Sequence, residues 1–98
     1  MRDYARVSPA FWTGDTGRAL RKAGTDAQLM ALYVLTCPSA NMIGLYYLPL
    51  PTIAFETGMS IKGASKALER LSCAGFAYFD FSDSLIWVPQ MARYQIGD

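Results

Sequence analysis

The stretch Leu50-Pro51-Thr52-Ile53-Ala54-Phe55-Glu56-Thr57-Gly58-Met59-Ser60-Ile61-Lys62-Gly63-Ala64-Ser65-Lys66-Ala67-Leu68-Glu69-Arg70-Leu71-Ser72 decides the fold. Pro49 and Pro51 punctuate its start, and a helix tolerates proline best in its first turn. The helix they open runs through Thr52–Thr57 and breaks at Gly58. Ser60 is a good N-cap for a second helix from Ile61 to about Ala74, and Gly75 closes it as a C′ glycine commonly does. Two helices crossing steeply across about three residues need a small side chain where they touch and a turn residue free to take positive φ. Ala54 and Gly58 supply these, four positions apart, with Ile53 pointing inward beside Ala54.

The second helix needs one face for docking and another for a partner. At about 100° per residue, Ile61, Ala64, Ala67, Leu68 and Leu71 cluster within about 120°. Lys62, Lys66, Glu69 and Arg70 lie opposite, with Ser65 at the edge. The three cations form a straight i, i+4, i+8 row.

Phe76–Phe81 and Leu85–Val88 are β-rich runs, separated at hairpin length by Ser82-Asp83-Ser84. Pro89 ends the second. The expectation is α+β: a winged helix-turn-helix, helical with a small antiparallel sheet, its helix pair at residues 50–72 and its wing at residues 76–88. Residues 25–94 form the body. Residues 1–24 form an arm, with an edge strand over Tyr4–Ser8, a turn carrying Phe11 and Trp12 that anchors the arm on the core, and a helix from Asp15 to Gly24. Residues 95–98 read as a tail or the start of a linker.

Within the body, Thr25 is expected as N-cap of a capping box completed by Gln28. The helix that follows is apolar nearly all round and therefore central. Cys37-Pro38 stops it. Ile43–Leu48 favours a short strand.

Composition narrows the function. Apolar residues make up 52% of the 98 residues, enough for one core without staples. The net charge is +1, so any contact with phosphate depends on local placement of cations. Arg18, Arg21 and Lys22 share a helix face, either as a solvated surface or as a secondary basic patch. No histidine is present, and Cys37 and Cys73 have no ligand spacing, so neither a metal nor a cofactor is expected. Both cysteines read as buried small apolar residues. No nucleophile–base pair, paired carboxylates or phosphate-cradling glycine loop is visible, so an enzyme with a small-molecule substrate is not expected. The longest apolar stretch, around Leu29–Leu35, is too short to span a bilayer. A cytoplasmic chain without membrane partners is the expectation.

Taken in order, Val7–Trp12, Leu32–Pro38, Ile43–Tyr46, Ile53–Gly58, Ala67–Leu71, Ala74–Phe76, Ile86–Pro89 and Arg93-Tyr94 resemble the N-terminal winged-helix domain of DnaD-like phage replication initiation proteins, the replisome organisers. The resemblance implies a bacterial or phage-encoded, nucleoid-associated DNA-binding protein. It also implies replication partners, a helicase or its loader, recruited through a further domain.

Two functional readings follow. In the first, the second helix enters the major groove of double-stranded DNA, whose width admits a helix. Lys62, Lys66 and Arg70 then contact phosphates or guanine edges, and Ser60 and Ser65 hydrogen-bond phosphate or base. Glu69 either accepts from a cytosine amine or pairs with Lys62, Lys66 or a flanking cation; pairing is favoured. The wing tip carries Asp80 and Asp83 and no cation, so it should avoid phosphate. In the second reading the domain is a protein-interaction or oligomerisation module, or a small stand-alone transcription regulator. The near-neutral charge and the aromatics Tyr46, Tyr47, Tyr78, Phe79 and Phe81 favour interaction, including a homodimer through the arm or the sheet. Stacking of single-stranded DNA on Tyr46, Tyr47 or Tyr78 is a minor variant; packing of these rings on the sheet is preferred.

Overall fold

The computed structural model describes residues 4–96, with side-chain surroundings through residue 94. Its described residues form six helices and one three-stranded antiparallel sheet. The order is α1 (Ala10–Thr13), α2 (Asp15–Ala23), α3 (Thr25–Thr36), β1 (Leu45–Tyr47), α4 (Leu50–Thr57), α5 (Ile61–Cys73), β2 (Tyr78–Asp80), β3 (Leu85–Trp87) and α6 (Met91–Ile96).

α3 lies at the centre, with Ala27, Met30, Ala31, Val34 and Leu35 fully buried. It packs against α2 on one side and α5 on another. The sheet order is β1-β3-β2, so β3 is central. Tyr46, Ile86 and Phe79 stand in register across it and point inward. Tyr46 donates its hydroxyl to the Val34 carbonyl, pinning β1 to α3. The backbone bonds Val88 N–H to Gly44 O, 2.6 Å, and Leu48 N–H to Ser84 O, 2.7 Å, extend the pairing beyond the strands.

An aromatic cluster draws both ends of the chain together. Phe11 meets Phe76 and Tyr94 with ring centroids 6.0 Å apart in each case, and Phe76 lies 5.6 Å from Tyr94. Such edge contacts add about 0.5–1.5 kcal/mol each beyond area burial. Phe11 therefore anchors the N-terminal segment as expected, while Trp12 remains half exposed.

Several local expectations fail for identifiable reasons. Tyr4–Ser8 is not a strand: among the described residues its backbone meets the far end of the chain through one bond, Ser8 N–H to Tyr94 O, 2.7 Å, with Val7 packed on the core, and one bond makes no ladder. Phe11 and Trp12 sit in the one-turn helix α1 rather than a turn. Thr25 is not a cap. Gly24 alone joins α2 to α3 with φ 111°, leaving Thr25 already helical and its side chain without a capping bond. β1 starts at Leu45, because Gly44 turns the chain with φ 86° and Ile43 is left 82% exposed. Tyr46 belongs to the core and Phe79 is half-buried, so neither joins an exposed aromatic surface. Cys37 is buried but Cys73 is exposed; both thiols are free. α6 reaches Ile96, so the first two of the four expected tail residues are helix; residues 97–98 lie outside the described residues. Among the described residues, no helix is long and apolar enough to cross a membrane.

Candidate nucleic-acid interface

α4 and α5 are joined by Gly58-Met59-Ser60. Gly58 takes φ 79°, the left-handed conformation expected of it, and a Cβ there would meet nothing within 4 Å. The glycine is thus required by backbone conformation and not by crowding. Ser60 is the N-cap of α5, its hydroxyl accepting the Gly63 N–H at 3.0 Å. At the other end Phe76 N–H reaches Leu71 O, 2.9 Å, and Gly75 N–H reaches Ser72 O, 3.0 Å, the paired bonds of a Schellman stop. Both ends of α5 are therefore set locally, and its rotation is set by what it buries.

Ala64, Ala67, Leu68 and Leu71 are all at most 2% exposed. Their burial turns Lys62, Lys66, Glu69 and Arg70 to solvent, with Ser65 half-buried at the margin. Eight residues at 1.5 Å rise place Lys62 and Arg70 about 12 Å apart along the axis. Ile61, expected on the buried face, is 49% exposed: it is the first residue of the helix, before α5 meets its neighbours.

Glu69 forms no ion pair with the described residues, contrary to the favoured expectation. The lysine-before-glutamate order at i, i+3 is the weaker orientation for such a pair. One ion pair occurs among the described residues, the exposed Arg18–Asp15 contact at 3.7 Å. Lys62, Lys66 and Arg70 have no carboxylate partner there.

The hairpin β2–β3 follows α5 directly. Its tip, Phe81–Ser84, is ordered by Asp80, whose Oδ1 accepts the N–H groups of Ser82 at 2.8 Å and Asp83 at 3.2 Å. The Asp80 carboxylate is thus engaged in its own turn, an Asx-type bond.

The sheet carries a surface that the sequence reading named only in part. On its outer face Leu45, Trp87 and Tyr78 form one cross-strand row, and Tyr47, Leu85 and Asp80 form the next. Five of these six are apolar or aromatic, and Trp87 and Tyr47 are 49% and 63% exposed. Tyr78 and Trp87 rings lie 5.7 Å apart. The apolar-apolar-aromatic run Leu85-Ile86-Trp87, with no polar alternation, is the signal for it in the sequence.

The described residues contain no group of three or more His, Cys, Asp or Glu able to hold a metal ion. Burial pushes the Cys37 thiol pKa up. No protein family matches the chain, and neither does any curated protein or solved structure.

Proposed function

We propose that this chain is a DNA-binding winged helix-turn-helix domain, with α5 as the helix that enters the major groove. The observation that carries the reading is the row Lys62, Lys66, Arg70: three exposed cations without carboxylate partners among the described residues, on the helix that leaves a left-handed glycine turn. The element order α3-β1-α4-α5-β2-β3 and the strand order β1-β3-β2 support it, since both suit a helix pair followed by a wing. The resemblance to replisome organisers favours a replication initiation or helicase-loading role in the cytoplasm of a bacterium, for a non-enzymatic protein. The acidic tip keeps the wing off the phosphates.

The test is fluorescence anisotropy of a mixed-sequence duplex across a salt series. Each phosphate contact contributes about −0.9 to the slope of log K against log salt. Lys62→Ala with Lys66→Ala should lower that slope by about two and weaken binding at all sequences alike. A double variant that binds like the parent removes α5 from the account.

A second reading, self-association, is favoured by the outer face of the sheet. Its five large side chains leave on the order of 500 Å² open, taking 150–250 Å² for a buried aromatic. Two copies joined face to face would bury on the order of 1,000 Å², the threshold for a specific interface. Trp87 lies on the central strand and Asp80 at a corner, which matches an aromatic centre with a polar rim. Dimerisation and DNA binding are compatible, since a dimer doubles the basic row.

A further inference from the structure

Arg70 ends the cation row on α5, and its side chain reaches across to α2. Its Nη1 lies 3.8 Å from where a side chain at Gly24 would begin, at the junction of α2 and α3. Between the two helices is a groove of about 600 Å³ lined by Ala19, Lys22, Ala23, Arg70, Cys73 and Ala74. Four of these are small, and the two long ones are both cationic. Among the described residues, no carboxylate lines the groove.

The three cations of α2 are not equivalent. Arg18 engages Asp15, and Arg21 donates from Nη1 to the Trp12 carbonyl at 2.8 Å. Lys22 does neither and is exposed. The carbonyl end of α2 attracts positive charge, which gathers Lys22 and Arg70 there without neutralising either.

We propose that this groove holds a backbone phosphate of the same duplex whose major groove receives α5, between Lys22 and Arg70. The inference rests on the DNA-binding reading and extends the contact surface from one helix to two. Lys62 to Arg70 spans about 12 Å, about the width of the major groove. Lys22 belongs to α2, outside the helix that enters the groove, so the pair it makes with Arg70 meets the bordering strand and not the base edges. The guanidinium takes a phosphate through two N–H groups, and the ammonium acts as a point charge beside it. Ala19, Ala23 and Ala74 leave room for the phosphodiester to approach.

Two measurements on the whole chain test this. In the salt series, Lys22→Gln should lower the slope by about one, while Arg93→Gln, on α6, leaves it unchanged. Cys73 supplies a second readout. It lines the groove as an exposed thiol, whereas Cys37 is buried. Alkylation by N-ethylmaleimide, followed by intact mass, should slow several-fold at Cys73 when duplex is bound, and less in Lys22→Gln. A Lys22→Gln slope equal to that of the parent, or a Cys73 rate indifferent to DNA, overturns the groove. If Lys62→Ala with Lys66→Ala still loses slope, α5 stands without it. A parent chain with no salt-dependent binding removes both readings together.

Discussion

Tyr33 Oη donates to Glu56 Oε1 at 2.5 Å, and this bond ties α4 to the central helix α3. It fixes the first helix of the pair to α3, on which α5 also packs. Burial, then the bond to Glu56, raises the Tyr33 pKa above its ordinary value near 10. The folded pKa exceeds the unfolded one. The stabilisation is therefore fully present below about pH 10 and is lost as pH rises above it. Tyr33→Phe should cost about 1 kcal/mol at neutral pH. Urea melts of parent and variant should keep a constant gap up to about pH 10 and converge over the range above it, where the unfolded tyrosine ionises and the folded one does not. A gap that stays constant across that range would contradict the assignment.

Two glycines should respond to alanine for opposite reasons. Gly58→Ala meets open space and suffers only from its left-handed φ of 79°, at a cost of about 1–2 kcal/mol. Gly17 is helical, but a Cβ there would fall 2.4 Å from the Trp12 carbonyl oxygen. Gly17→Ala must push α1 off α2, at a cost of about 1–3 kcal/mol or more. Thermal melts should rank Gly17→Ala below Gly58→Ala. Only Gly17→Ala should also change the near-ultraviolet signal of Trp12. The reverse ranking would show that α1 yields easily.

Ser60→Ala removes the cap of α5 and should lower stability by about 1 kcal/mol. Ser60→Asp keeps an acceptor for the Gly63 N–H and should restore stability, yet it places a negative charge beside the cation row. DNA affinity should then fall in Ser60→Asp although the fold is sound. Equal affinity in Ser60→Asp and the parent would place the N-terminus of α5 away from phosphate.

Trp87→Ser removes the centre of the outer sheet face. If copies associate there, sedimentation velocity should show the parent shifting toward dimer with concentration and the variant staying monomeric. Trp87→Ser should also cost the monomer about 1–3 kcal/mol, from the buried half of the side chain and its contact with Tyr78, so association is compared under conditions where both proteins are folded. A parent that stays monomeric at high concentration ends the dimer reading.

The helix pair was legible because its determinants are local. Pro49, Pro51, Gly58, Ser60 and Gly75 act through backbone conformation and capping within a few residues. The apolar stripe of α5 follows from 3.6-residue periodicity. The hairpin was legible for the same reason, though its strands are shorter than the β-rich runs. Thr25 misled because a glycine with φ 111° can join two helices without an intervening cap. Tyr46 stood between two readings, because an exposed and a buried tyrosine look alike until the carbonyl of Val34 is in place.

Sequence alone determined where α4 and α5 begin and end and which face of α5 is cationic, since caps, turns and periodicity are short-range properties. Only tertiary packing decided that Lys22 and Arg70 line one groove, that Glu69 has no ion pair among the described residues, and that the sheet turns five large side chains outward. Those outcomes depend on how segments distant in the chain dock, and no spacing along the chain encodes the distance between helices.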